Sequence, residues 1–220
     1  MSSRPRQMLE HIRQELALGE RENRLVPAIA DGSAPLAVLA ELAAQQHRII
    51  ASDRRSLLVP AARCADGPAG DYFAGFAEGE SRALRSLDAF AARTGLSPHE
   101  LLARRPLPGC QAYPSYLAWL ALNGDPAGVV LALTANFALW GGYCATVGQA
   151  LRRHYGFPDE ACAFFDFFAQ PATALEQKAA DALGPDPLDG PALAAAREYA
   201  LLLQAYEHLF WDTLAASAAD

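Results

Sequence analysis

The chain lacks most of the devices that announce a function. It has no Cys-x-x-Cys pair. Its four cysteines, Cys64, Cys110, Cys144 and Cys162, are far apart, a spacing that predicts buried free thiols in a reducing cytoplasm and no zinc finger or disulfide scaffold. It has no Gly-rich phosphate loop and no Ser/His/Asp set with a motif behind it. The first twenty residues are charged and amphipathic, without the apolar centre of a signal peptide, and no apolar run reads as long and uncharged enough to span a bilayer. Positive charge is scarce too. The formal net charge of −7 over 220 residues, with Arg54-Arg55, Arg104-Arg105 and Arg152-Arg153 as isolated pairs, argues against a nucleic-acid surface. β-Branched residues are few, no segment alternates with period two for long, and there is no repeat or low-complexity linker.

What is present is helical. Hydrophobic residues make up 52% and charged residues 20% of the chain, ample for a packed core. Val129, Leu133, Asn136, Trp140, Tyr143 and Val147 recur at steps of four and three after Pro126, one stripe of a long helix. Asp125 is placed to cap it and Pro126 suits its first turn. The opposite face is apolar as well, so this helix is expected to be covered all round. Asn136 then lies on a buried seam and must find a partner in protein, water or ligand. Gly141-Gly142 predicts a close approach by another helix or a ligand.

The remaining chain reads the same way. Helices are expected over about 4–19, 22–30, 33–63, 71–93, a turn opened by Ser97 and Glu100 as a capping box, and a short helix before Asn123-Gly124. The face of the 33–63 helix carries Leu39, Leu42, Gln46, Ile49 and then Asp53. A Phe-rich helix opens at Asp159-Glu160 and is expected to kink at Pro171. Residues 184–190 read as a loop, and Pro191 opens a last helix whose stripe is Leu203, Glu207, Phe210 and Leu214. The prediction is one all-α domain over 1–220, with N-terminal helices over 1–32 and a core bundle of seven or eight helices in all, extending to 215.

Four segments carry a resemblance. Glu207-His208-Leu209-Phe210-Trp211 resembles the C-terminal ExxFW pattern of the TenA (thiaminase II) family. Ala112-Tyr113-Pro114-Ser115-Tyr116-Leu117 is similar to its AYxSYL helix start, Phe164-Phe165-Asp166-Phe167-Phe168 to its W-I-x-x-Y segment, and Ala44-Gln45-Gln46-His47-Arg48-Ile49 to its QDxxYL segment. The resemblance implies a heme-oxygenase-like helical bundle and hydrolysis of thiamin or an aminopyrimidine. It also implies a homo-oligomer. Of the family's catalytic set only the glutamate is kept, as Glu207. Gln46 stands for the aspartate, Ile49 for its tyrosine partner and Phe168 for another tyrosine. The family's cysteine falls at Asn136 counted from Gly124 and at Trp140 counted back from Gly148; Cys144 is at neither.

The resulting expectation is a pocket lined by Gln46, Tyr113, Tyr116, Asn136, Trp140, Tyr143, Phe168 and Glu207. It would bind a small, flat, nitrogen-containing heteroaromatic ligand, with Glu207 as general acid/base and no covalent step. A non-catalytic binder, or a metal-independent enzyme of another pathway on the same fold, is the alternative. No cofactor and no metal is expected, since Phe168, Ala172 and Leu175 occupy the places where di-iron relatives carry ligands. His11 reads as a surface residue, and His47 and His208 as partly exposed neighbours of pocket residues.

Overall fold

The computed structural model describes residues 4–185 and 188–217. Ten helices run through them: α1 (Arg4–Leu18), α2 (Leu25–Ala30), α3 (Leu36–Arg63), α4 (Pro68–Arg93), α5 (Pro98–Ala103), α6 (Pro108–Asn123), α7 (Pro126–Tyr155), α8 (Asp159–Ala169), α9 (Thr173–Leu183) and α10 (Gly190–Ala216). No strand is present among the described residues. The predicted loop over 184–190 includes residues 186–187, which lie outside them.

Local chemistry sets most boundaries. Asp125 caps α7 by accepting from the Gly128 N–H at 3.0 Å, and Pro126 follows at the first helical position, where its missing N–H leaves nothing unsatisfied. Gly156 ends α7 in the left-handed region at φ 65°, a conformation open to glycine. The capping box at Ser97 and Glu100 forms. Pro171 does more than kink its helix. The residue before a proline is driven out of the helical region, and Gln170 is extended at φ −66°, ψ 144°. One predicted helix is therefore two, α8 and α9, which raises the helix count above the seven or eight expected.

The bundle packs in two apolar clusters. One gathers Leu39, Leu42, Phe90, Phe164, Phe165 and Trp211. The other gathers Tyr72, Phe73, Leu117, Val130 and Leu203, with Leu9 and Ile12 of α1 laid against it. α3 and α4 pack against each other along their length, and α7 packs against α1, α2, α8, α9 and α10.

Two expectations about α7 are corrected. It is long and apolar enough to cross a membrane by length and composition, contrary to the sequence reading, although 56% of its most apolar window is buried within the bundle. Nor is it covered all round. Residues 128–136 are all buried, but Ala138 and Gly142 are exposed. The Gly pair divides accordingly. A Cβ on Gly141 would come within 2.8 Å of the Phe168 carbonyl oxygen, while one on Gly142 would meet nothing within 4 Å.

Candidate functional site

A cavity of about 80 Å³ lies where the two clusters meet. Helical spacing explains its lining. On α3, Gln46, Ile49 and Asp53 stand at i, i+3 and i+7, one face of one helix. On α4, Phe76 and Glu80 stand at i and i+4. Tyr113 and Leu117 come from α6, Leu133, Asn136, Phe137 and Trp140 from α7, Phe168 from the end of α8, and Glu207 and Phe210 from α10. Among the described residues, no side chain bearing positive charge lines it.

The polar atoms are unusual in being unsatisfied. The Asn136 amide donates to the Ala132 carbonyl at 3.0 Å and the Ala200 carbonyl at 3.1 Å. Its Oδ1 has no partner. Asp53 Oδ1 and Glu207 Oε1 have none either, although Asn136, Asp53 and Glu207 are 3%, 4% and 6% exposed. A buried polar atom left alone costs about 1–3 kcal/mol, and the three residues that carry these atoms all line the one cavity.

Burial also sets the charge states. It pushes the Glu207 carboxyl up to about 8; the Trp211 indole opposes that shift and the Glu20 charge adds to it. The opposition involves no hydrogen bond of ordinary geometry, since Trp211 Nε1 is itself unpartnered. Glu80 is likewise pushed up to about 8 by burial. Asp53 is raised by burial and then by the neighbouring Glu80. Tyr113 is raised by burial and by the charges of Asp53, Glu207 and Glu80. The two glutamates, at about 8, hold protons that a pocket can exchange near neutrality.

Six of the eight predicted residues line this cavity: Gln46, Tyr113, Asn136, Trp140, Phe168 and Glu207. Tyr116 and Tyr143 do not. Leu117, four residues after Tyr113, takes the inward position on α6, and Tyr116 turns outward to stack on Trp119 at 5.8 Å and lean on Tyr206 at 5.2 Å. Tyr143 donates to Glu20, which draws it toward the connection between α1 and α2. Both positions to which the family's cysteine could be counted, Asn136 and Trp140, face the cavity. Cys144 is buried, with its thiol raised by burial and then by Glu207, the opposite of an activated nucleophile. His47 is half-buried as expected, but His208 is buried, with Nε2 3.7 Å from Glu20. Cys64 is half-buried, against the expectation of four buried thiols; Cys110, Cys144 and Cys162 are buried.

Two carboxyls escaped the sequence reading as site residues. Asp53 continues the Gln46–Ile49 face by seven residues, which was the available signal. Glu80 follows Phe73 and Phe76 on the inward face of α4, where a lone acid among phenylalanines was the clue.

Outside the inner cavity lies a second cleft of about 230 Å³ between α4, α8 and α9. Phe76, Glu80, Phe137 and Phe168 belong to both. Phe137 meets Phe76 edge-on at 5.8 Å and Phe168 at 5.8 Å, so three rings stand as a partition between cleft and cavity.

This architecture is the heme-oxygenase-like bundle. Residues 23–217 match the TENA/THI-4/PQQC family, and the chain belongs to it. Among solved structures it is similar to a domain of unknown function with a heme oxygenase-like fold from Shewanella denitrificans (TM-score 0.76, 14% identity, 97% of this chain and 89% of that one). It is similar as well to a TenA homologue from Pseudomonas syringae pv. tomato (0.75, 14%, 97% and 93%) and to one from P. horikoshii (0.69, 15%, 96% and 95%). No curated protein matches it.

Proposed function

We propose that the cavity binds a small, flat, nitrogen-containing heteroaromatic of the thiamin or aminopyrimidine kind and hydrolyses it with Glu207 as general acid/base. One observation carries the reading. Glu207 is buried with Oε1 unpartnered and its carboxyl pushed up to about 8, beside the rings of Trp140, Phe168 and Phe210. The rings offer stacking surface, and the carboxyl offers a proton it can give and retake near neutral pH. At about 80 Å³ the cavity suits a compact ligand; apolar cavities that take up benzene measure roughly 150 Å³, so even one ring requires the lining to yield.

In this reading water attacks the ring carbon or exocyclic carbon bearing the leaving nitrogen. Protonated Glu207 gives its proton to that nitrogen as the C–N bond breaks. The carboxylate so formed takes a proton from the attacking water, leaving alcohol, free amine and the original acid. No thiolate takes part, consistent with the raised Cys144 thiol.

A second reading, a binder without turnover, is favoured by Asn136. The amide group is fixed between two backbone carbonyls at one of the two places where the family's nucleophile is counted. Incubation with an aminopyrimidine and assay for released ammonia separates the two. Release lost in Glu207→Gln supports hydrolysis; saturable binding with the ligand recovered intact supports the binder; neither binding nor release ends both.

We also propose a cytoplasmic homo-oligomer. Trp119, Leu122, Leu201 and Leu209 stand exposed on α6 and α10, next to outward-turned Tyr116. Trp119→Lys is expected to shift the protein to a smaller species in light scattering; unchanged mass would place contacts elsewhere.

A further inference from the structure

A strap of chain lies along α10. Residues 19–24, the connection between α1 and α2, form no helix, yet polar ties hold them and the end of α1 at four levels. Arg197 pairs with Glu15 at 2.7 Å. Gln204 donates to the Leu16 carbonyl at 2.8 Å and to the Glu20 carboxylate at 3.3 Å. His208 Nε2 stands 3.7 Å from Glu20, and Arg24 stands 3.8 Å from Asp212. Arg197, Gln204, His208 and Asp212 follow at steps of seven, four and four, one stripe of α10.

Glu20 is the point where the strap is fastened to two elements at once. Gln204 of α10 reaches one carboxylate oxygen, and the Tyr143 hydroxyl of α7 donates to the other. Exposed ion pairs such as Arg24–Asp212 contribute little. Hydrogen bonds to a carboxylate are the stronger kind, and here they come from a buried amide and a half-buried phenol. Glu20 itself keeps access to solvent, with 33% of its side chain exposed.

The turn of α10 under Glu20 is the one that carries Glu207, three residues after Gln204 and one before His208. Trp211, a turn further on, stacks on Trp140 of the cavity at 5.6 Å and meets Tyr143 edge-on at 5.5 Å. Glu20, Tyr143, Gln204 and His208 do not line the cavity, so they hold this turn from outside it. The Glu20 charge reaches Glu207 and adds to the effect of burial. Tyr113 of α6 and Tyr143 and Cys144 of α7 are all raised, and so held toward their neutral forms. Asp53 of α3 and Glu80 of α4 are raised as well, and His208 turns to Glu20.

We infer that Glu20 is a positioning residue for the proposed acid/base: tied to Tyr143 and Gln204 and set beside His208, it braces the turn of α10 that carries Glu207 and places a negative charge behind it. A carboxylate behind an acid favours the protonated acid, the form that gives the proton in the proposed hydrolysis. The assignment rests on that reading of Glu207, but its test needs no substrate. Glu20 stands ahead of the span 23–217 that matches the family.

The test is carbon-13 NMR of the full chain labelled at its glutamate carboxyls and titrated through neutral pH. Loss of a signal in Glu207→Gln and in Glu80→Gln assigns the two raised acids. Glu20→Gln keeps an oxygen for the Tyr143 hydroxyl and removes the charge. It is expected to lower the Glu207 midpoint by roughly half a pH unit or more and to leave Glu80, raised by burial alone, where it is. Glu20→Asp keeps the charge and should retain most of the wild-type midpoint. An unmoved Glu207 overturns the assignment; so does an equal fall at Glu80, which would mark general loosening of the bundle. Glu20→Ala is expected to raise amide exchange over residues 204–212 about ten-fold, and unchanged exchange there removes the bracing role. If that variant does not fold, Tyr143→Phe cuts one tie and the same exchange decides. Failure to detect hydrolysis of any aminopyrimidine would end the acid/base reading, while an unmoved Glu207 midpoint would end this one, so the two fail separately.

Discussion

At the scale of single residues, the buried carboxyls govern how stability responds to pH. Glu207 and Glu80 sit at about 8 in the folded chain and near the ordinary glutamate value when unfolded. A carboxyl raised on folding binds its proton more tightly in the native state. Its contribution is therefore fully present below about pH 4.5 and lost as pH rises toward 8. The ligand-free protein is expected to lose on the order of a few kcal/mol of stability per group across that window. Denaturant titrations at pH 5, 6, 7 and 8 check the slope. Glu207→Gln and Glu80→Gln should each flatten it. A profile that rises between pH 5 and 8 would contradict the burial argument.

Residue chemistry was also where the sequence was least legible. Glu207 was readable because the Leu203, Phe210 and Leu214 stripe fixes its direction. Gln46, Asn136 and Trp140 were readable for the same reason. Tyr116 and Tyr143 were misplaced because each stands three residues from an inward neighbour, and a helix leaves the choice between i+3 and i+4 to packing. On α6, Leu117 won the inward place; on α7, a hydrogen bond to Glu20 decided. Asp53 and Glu80 belong together only because α3 and α4 lie side by side, and no one-dimensional pattern reports that pairing.

At the scale of elements, α7 holds an experiment in two adjacent positions. Gly141→Ala places a methyl group within 2.8 Å of the Phe168 carbonyl oxygen. Backbone cannot yield cheaply there, and overpacking of this kind costs about 1–3 kcal/mol. Gly142→Ala meets open space and gains up to about 1 kcal/mol of helix propensity. The melting temperature is expected to fall for the first and rise for the second. The same sign at both positions would show that α7 and α8 are not packed as described. Helix existence and type were largely readable from apolar spacing and caps. The α8–α9 break was not, because Pro171 constrains both itself and Gln170, and whether a helix bends or stops there depends on what packs against it.

At the scale of the whole molecule, the bundle is a frame around a small cavity, and Asp53, Asn136 and Glu207 in its lining each keep an unpartnered oxygen. A ligand that supplies those partners binds the native state alone. At 100 times its dissociation constant it should stabilise by about 2.7 kcal/mol, a melting shift of roughly 5–10 °C for a chain of this size. A thermal-shift screen of aminopyrimidines and related amines reads this directly. No shift with any of them would remove the proposed ligand class.

The three-ring partition of Phe76, Phe137 and Phe168 makes passage between the outer cleft and the cavity a matter of timing. A molecule held inside touches the same groups whether the rings turn quickly or slowly, so the partition sets how long a visit lasts more than how strongly it is favoured. Thinning it with Phe137→Leu should hasten arrival and departure together, and departure the more, because Phe137 also lines the cavity and its ring is lost to the occupant.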